Sequence, residues 1–266
     1  MPEGDTIFRA ARALHRALEG REITHFDTVY PQLSRVDRDQ PMVGRTVQRV
    51  SAVGKHLLMH LSGELILRSH MRMNGSWHIY RPGEKWRIPA YRMKITLETG
   101  AFVAVAFDVP IAEFETPSTL ERSSPVGELG PDLSAKPFDE VEAHRRGRLN
   151  SEQNVADLIL NQRVAAGAGN VFKSEVAFLC GIHPFRLVSS LSDDQLTAII
   201  ATSRRLLLGN QGSLNHRKTT ASFNPREGLW VYGRSGKPCR KCGGRIRMER
   251  RGLHARSTYF CANCQQ

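Results

Sequence analysis

No stretch of the chain approaches the roughly 18 consecutive apolar residues that a membrane-spanning helix needs. The opening residues, MPEGDTIFRAARALHRALEG, lack a basic segment followed by an apolar one, so they do not read as a secretory signal. The expectation is a cytoplasmic protein without membrane contact. Internal repeats and low-complexity tracts are also lacking. With 40% hydrophobic and 24% charged residues, the composition excludes disorder throughout. A length of 266 residues allows one large domain or two ordinary ones.

Acidic residues are missing from one region in particular. Residues 201–266 contain 14 Lys and Arg but only two acids, Glu227 and Glu249. The 24 basic and 24 acidic side chains of residues 1–200 cancel, so the last quarter carries the whole net charge of +12. Such asymmetry points to a polyanion partner, most often nucleic acid. Phe223, Trp230, Tyr232, Tyr259 and Phe260 interleave the same segment, which argues that it folds and is not a solvated tail.

Cysteine is scarce, with five residues, and four of them crowd into the last 28 positions. Cys239, Cys242, Cys261 and Cys264 form C-x2-C-x18-C-x2-C. Each C-x2-C pair can place two thiolates on one metal, and two pairs complete a tetrahedral Zn²⁺ site. In a reducing compartment a metal is favoured over disulfides. The hairpin between the pairs is short and polar, so metal binding must supply folding energy. Four thiolates leave no open position, so one structural zinc ion is expected and a catalytic one is not. Cys180 follows the apolar run 176–179 and reads as a buried small residue.

Residues 5–20 have helical periodicity, with Ile7, Ala11, Leu14 and Leu18 on one face and Gly20 as the stop. Strand patterns follow at 23–30, 46–53, 56–61, 65–68, 93–97 and 101–107, most of them short and bounded by Gly, Pro, Asp or Asn. Residues 117–131, PSTLERSSPVGELGP, have no period and read as a linker. Helices are expected at 150–161, at 171–180, and from Ser192, where Gln195 completes a capping-box spacing. The fold class expected is α+β. An N-terminal helix joins an antiparallel β-sandwich in residues 1–116, the linker spans 117–131, a helical domain spans 132–235, and a zinc-binding β-hairpin ends the chain in 236–266.

Four separated landmarks carry a resemblance to a known family. They are the N-terminal Met-Pro-Glu-Gly; Gly54-Lys55-His56; Asn161-Gln162-Arg163 followed by Ala166-Gly167-Ala168-Gly169-Asn170; and Arg256-Ser257-Thr258-Tyr259-Phe260-Cys261 in the terminal hairpin. In this order the chain resembles, from end to end, the formamidopyrimidine-DNA glycosylase/endonuclease VIII family of bifunctional base-excision repair enzymes. The helical domain is then similar to the family's helix–two-turn–helix domain. Pro2 is implied as the nucleophile after removal of Met1. Its secondary amine has a pKa of about 8, some two units below lysine. The iminium it forms is cationic without further protonation, an electron sink for β-elimination.

The resemblance assigns Glu3 as general acid, a role that burial favours by raising a carboxyl pKa. The residue-level alternative is a helix N-terminal acid. Many family members have a second carboxylate where this chain has Thr6. Lys55 is implied near the sugar-phosphate, where a cation also neutralises phosphate. Residues 69–77 match the family's void-filling loop, with Arg72, Met73 and Asn74 as candidates and Met73 as the best wedge. The alternative for that stretch is the core of a β-hairpin. Asn170, at a helix start behind the turn containing Gly167 and Gly169, is implied to hold a backbone phosphate. Arg256 is implied to grip the phosphates flanking the lesion. The other basic residues of the hairpin (Arg240, Lys241, Arg245, Arg247, Arg250 and Arg251) read as nonspecific phosphate contacts or a solvated face.

The activity implied is glycosylase plus abasic-site lyase, with strand cleavage by β,δ-elimination. The partner is damaged DNA, the chain works as a monomer, and DNA binding associates it with the nucleoid. The start MPEGD looks more like the endonuclease VIII branch, which prefers oxidised pyrimidines. A purine-preferring enzyme of the same family and an inactive DNA-binding member of the same fold are the alternatives.

Overall fold

The computed structural model describes residues 2–212, 217–222, 224–253 and 255–266. Met1 and Phe223 lie outside them. Two compact units divide the chain, residues 1–128 and 129–266. Among the described residues no helix is long and apolar enough to cross a membrane.

The first unit opens with helix α1 (Gly4–Leu18). Ile7, Ala11, Leu14 and Leu18 are each at most 2% exposed, so the expected apolar face is the buried one. Gly20 follows at φ 72°, a conformation that suits glycine and lets the chain turn away. Eight strands form two four-stranded antiparallel sheets. One has the order β1 (Ile23–Thr28), β6 (Met93–Thr99), β7 (Val103–Phe107), β5 (Ser76–Tyr80). The other has the order β2 (Val47–Val53), β3 (His56–Leu61), β4 (Leu65–His70), β8 (Ile111–Glu115). A shared core with contributions from α1, both sheets and Leu33 makes this a β-sandwich.

Several elements of this unit carry a weak sequence signal. Helix α2 (Pro31–Asp39) starts with proline in its first turn and buries only Leu33, so its polar surface hides the helical period. Strands β5 and β8 are five residues each, too short for a decisive alternation. Helix α3 (Pro117–Arg122) lies in the segment whose composition reads as linker. Thr116 caps it through a reciprocal pair of hydrogen bonds with Thr119, and none of its residues is buried. Composition reports the absence of a core there, not the absence of a helix.

The second unit is built around α6 (Asn170–Leu179), in which every residue from 170 to 178 is buried. Helices α5 (Val155–Leu160) and α7 (Asp193–Asn210) pack their apolar residues with Phe172 and Val176 of α6. Ser192 and Gln195 form the expected capping box, and Leu196, Ile199, Ile200, Leu206 and Leu207 are all buried. Helix α5 starts at Val155, five residues later than the period indicates, because the Asn154 side chain caps it. Helix α4 (Glu140–Leu149) escapes the sequence pattern because only Ala143 and Gly147 are buried. Cys180 is half-buried, not buried. Burial still raises its thiol pKa, which makes it a poor nucleophile.

The terminal hairpin, β9 (Ile246–Arg250) and β10 (Ser257–Cys261), is not a free-standing module. Ile246, Cys239 and Cys261 share a core with Val231 and with Phe178 of α6. Polar residues of α6 reinforce it. The fully buried Glu175 carboxylate accepts the backbone N–H groups of Trp230 (2.8 Å), Val231 (2.9 Å) and Tyr232 (2.8 Å), and the Thr219 hydroxyl. Ser174 Oγ accepts the Tyr259 N–H at 3.2 Å. Lys173, 1% exposed, donates to the Ser257 carbonyl (3.2 Å) and to Thr258 Oγ1 (2.8 Å).

Removing the carboxylate leaves three backbone N–H donors without an acceptor, that of Val231 buried and those of Trp230 and Tyr232 partly so. Glu175→Ala is expected to lower the unfolding free energy by about 3 kcal/mol or more, measured by urea denaturation. A loss below about 1 kcal/mol would show that water or a neighbour replaces the carboxylate.

Candidate active site and nucleic-acid interface

In the first unit, Pro2 is half-buried and Glu3 is fully buried at 0% exposure. The Glu3 backbone opens α1, its carbonyl accepting the N–H groups of Thr6 (2.9 Å) and Ile7 (3.0 Å). Its carboxyl does not cap the helix, so capping does not account for an acid at this position. The neighbouring carboxylate is at Asp5, also 0% exposed, and it pairs with Arg9 at 3.4 Å. Thr6 joins this pair, donating to Asp5 Oδ1 (3.4 Å) and accepting from Arg9 (3.3 Å). Position 6 thus holds a hydroxyl beside a carboxylate one residue earlier.

Lys55 sits in the two-residue turn between β2 and β3, with Gly54 at φ 58°. Helix α1 packs on β2, so the strand that supports Lys55 also supports the helix behind Pro2 and Glu3. Around Lys55 the sheet gathers a basic cluster. His56 and His70 are register partners on β3 and β4, with ring centroids 4.8 Å apart. Arg68, 2% exposed, approaches His56 Nδ1 at 3.3 Å and is neutralised by Glu113 and Glu115. Burial, followed by the charges of His70, Arg68, Lys55 and Arg72, drops His56 to a pKa of about 3. Burial, followed by Arg72, Lys55 and Arg68, drops His70 to about 4.

The segment after β4 is not a hairpin. Strands β4 and β5 belong to different sheets, and residues 71–75 cross between them. Met71 is buried at 2% exposure, whereas Arg72, Met73 and Asn74 are exposed, Met73 at 57%. Arg72 adopts φ 49°, an unusual conformation for a side-chain-bearing residue, and donates its N–H to His70 Nδ1 at 3.1 Å. Gly75 closes the loop so tightly that a β-carbon there would stand 2.6 Å from the Met71 carbonyl oxygen. The loop borders a cavity of about 480 Å³ whose other side includes Tyr91 and the Arg92–Asp108 ion pair.

In the second unit, Asn170 is the first residue of α6 and is 7% exposed. Its Nδ2 donates to the Ser257 carbonyl at 3.1 Å, and its buried Oδ1 has no hydrogen-bond partner. Arg256 is exposed and immediately precedes Ser257, so Asn170 and Arg256 are brought together. Of the two glycines before α6, Gly167 has a positive φ (118°) and packs against Leu207; Gly169, at φ −133°, is not held in that region. The other hairpin arginines are not uniform. Arg240 donates to the carbonyls of Leu229 (3.2 Å) and Arg226 (3.1 Å), which makes it a loop staple. Arg251 pairs with Glu249 at 2.8 Å.

The four hairpin cysteines present sulfur atoms all within 4.8 Å of one another. Cys242 and Cys261 are 3.5 Å apart and Cys239 and Cys264 are 3.9 Å apart. A tetrahedral Zn²⁺ with Zn–S bonds of about 2.3 Å requires S···S separations of about 3.8 Å, so the spacing fits a zinc ion and not disulfides. Four thiols this close cannot all ionise unaided. The backbone of Gly244 draws Cys242 down to about 7, while burial and then the neighbouring sulfurs hold Cys264 up at about 12. A divalent cation resolves that conflict by stabilising all four thiolates.

Sequence reasoning did not single out His70, Lys173, Glu175 or Asp157. The one signal for the α6 pair was a run of three polar residues, 173–175, inside an otherwise apolar helix. The two histidines give a pH prediction. Folded, they stay neutral to about pH 4; unfolded, they protonate near their ordinary value of about 6.5. Across that window the unfolded chain binds more protons, so their contribution is complete above about pH 6.5 and is lost as pH falls. The melting temperature should decline over this range, and a His56→Gln/His70→Gln variant should decline less steeply. Equal slopes would exclude these residues as the source.

Comparison with known proteins follows the same division. Residues 1–108 match the formamidopyrimidine-DNA glycosylase N-terminal domain, residues 129–222 the formamidopyrimidine-DNA glycosylase H2TH domain, and residues 236–266 the zinc finger found in FPG and IleRS. The chain is 38% identical to "Probable endonuclease 8 2" of Streptomyces coelicolor, covering 100% of this chain and 94% of that protein. It is 36% identical to "DNA-(apurinic or apyrimidinic site) lyase Nei2" of Mycolicibacterium smegmatis, covering 100% and 99%. In fold it matches the Lactococcus lactis formamidopyrimidine-DNA glycosylase, crystallised non-covalently bound to DNA containing an AP site, with a TM-score of 0.84 at 22% identity over 100% of both chains. The chain belongs to the formamidopyrimidine-DNA glycosylase family.

Proposed function

We propose that the protein is a bifunctional DNA glycosylase and abasic-site lyase of base excision repair, with oxidised pyrimidines as its preferred substrates. The observation that carries this reading is the N-terminus. A proline at position 2 is followed by a carboxylic acid that is fully buried and not used as a helix cap. Once Met1 is removed, the Pro2 amine attacks C1′ of the damaged nucleotide. The bond from C1′ to the base breaks, and Glu3 delivers the proton needed for departure and for opening the sugar ring. The iminium then acidifies C2′: loss of a C2′ proton to a base expels the 3′ phosphate, loss of a C4′ proton expels the 5′ phosphate, and water hydrolyses the remaining imine to free Pro2, which is β,δ-elimination.

Lys55 serves the sugar-phosphate of the same nucleotide, while Asn170 and Arg256 hold the backbone on either side. Met73, flanked by Arg72 and Asn74, fills the space vacated by the extruded base. In this reading residues 1–116 are the catalytic domain, 132–235 the DNA-binding helical domain and 236–266 the zinc finger, with 117–131 joining them. The zinc ion is structural, because four thiolates complete its coordination. One chain suffices for the reaction, and its place in the cell is on the nucleoid. The endonuclease 8 names of relatives that cover the whole chain support the endonuclease VIII-like branch, and the pyrimidine preference is what resemblance to that branch implies.

An excision assay with Glu3→Gln tests the assignment. An abasic sugar has no base to expel and opens spontaneously, so it makes less demand on the acid. The variant should lose excision of thymine glycol by about 100-fold or more while still cleaving a preformed abasic site. Parallel loss on both substrates would assign Glu3 to imine formation or to folding. Faster excision of 8-oxoguanine than of thymine glycol by the wild type would move the enzyme to the purine-preferring class.

A further inference from the structure

We infer that Asp157 is a positioning residue for Arg256: its carboxylate anchors the tip of the zinc hairpin and so holds the arginine in place for the DNA backbone. The inference rests on the reading of Arg256 as a phosphate-binding residue. Arg256 is exposed and immediately precedes β10, after Leu253 and Ala255 of the connection from β9. Both sides of it are tied to the body of the second unit. On one side, the carbonyl of Ser257 receives hydrogen bonds from Asn170 and Lys173 of α6. On the other, Asp157 Oδ2 accepts the Leu253 N–H at 3.0 Å.

This second tie is built. Asp157 lies in the first turn of α5, and its own position is fixed by a reciprocal pair with the capping residue. Asn154 Nδ2 donates to Asp157 Oδ2 at 2.7 Å, and Asp157 N–H donates to Asn154 Oδ1 at 2.9 Å. The hairpin meets that carboxylate with a glycine. Gly252 has φ 84°, and a β-carbon there would stand 2.8 Å from Asp157 Cγ and nearer still to both its oxygens. Position 252 therefore needs glycine for two independent reasons, its backbone conformation and the approach of Asp157. The Ala255 N–H returns to the Gly252 carbonyl at 3.2 Å, so the anchored tip turns directly into Arg256.

An exposed arginine on an untethered loop loses loop and rotamer freedom when it grips a phosphate. Tethering the loop beforehand removes part of that cost. The sign of the effect is informative. An acid set against a basic DNA-binding hairpin repels DNA, so deleting its charge alone should strengthen binding. Loss of an anchor should weaken it.

The test is fluorescence anisotropy with an uncleavable tetrahydrofuran-containing duplex at several salt concentrations, with melting temperature and zinc content measured for each variant. Asp157→Ala is expected to weaken binding roughly three- to ten-fold despite removing a negative charge. Gly252→Ala should do the same. Asp157→Asn, which keeps an acceptor for the Leu253 N–H, should bind as tightly as wild type or more tightly. In an Arg256→Ala background, which itself lowers the salt slope by about one, Asp157→Ala should not weaken binding further, and loss of the negative charge should leave it equal or slightly tighter. Undiminished affinity in Asp157→Ala, or an equal loss with and without Arg256, would overturn the inference. If Arg256→Ala alone left binding and salt slope unchanged, the phosphate reading would fall first and the inference with it.

Discussion

The second unit depends on one buried carboxylate. Glu175 is inaccessible to water and must have its charge satisfied by protein donors; it takes three consecutive backbone N–H groups and a hydroxyl. That requirement fixes residues 230–232 against α6. Val231 then joins the core containing Phe178, Ile246 and two of the zinc-binding cysteines. The zinc hairpin is thus held by metal coordination within itself and by polar contacts to a helix outside itself. Asn170 and Lys173 extend the same logic to the Ser257 carbonyl, next to Arg256. A short polar hairpin could not position a side chain by packing alone. Here its placement is inherited from a helix buried along nearly its whole length.

The first unit solves a different problem. In the proposed reaction the nucleophile, Pro2, sits at a chain terminus and needs a rigid support, since terminal residues fray unless tied down. Helix α1 provides it by burying Ile7, Ala11, Leu14 and Leu18 in the sandwich core. Lys55 is carried by a tight turn at the end of the strand on which that helix packs. The basic cluster around it is tolerable because two of its members, His56 and His70, remain uncharged and a third, Arg68, is matched by two carboxylates. His70 uses its Nδ1 to accept the backbone N–H of Arg72, which ties the loop to this buried ring.

Much of this was legible in the residues because the physical signal is local. The apolar face of α1, the capping box of α7 and the two C-x2-C pairs each specify structure within a few positions of themselves. Elements that bury little were not legible. Helices α2 and α4 present one and two buried residues, and a period cannot be read from so few. Long-range polar contacts were equally hidden. Asp157 looks like an ordinary first-turn acid, and nothing near it in sequence reveals that residue 253 will find it. The β-hairpin alternative for residues 69–77 could not be set aside from sequence for a related reason: strand patterns do not say which of two sheets a strand joins.

The central claim is that the reaction runs through the amine of Pro2. The most direct measurement is borohydride reduction of the untagged protein on an abasic duplex, followed by nuclease and protease digestion and mass spectrometry of the adduct. The account predicts a reduced deoxyribose remnant on the N-terminal nitrogen of a chain that begins at Pro2, and a clearly weaker adduct in Pro2→Gly at matched protein concentration. A remnant on the Lys55 side chain, or a chain that retains Met1 and still forms the adduct, would contradict it.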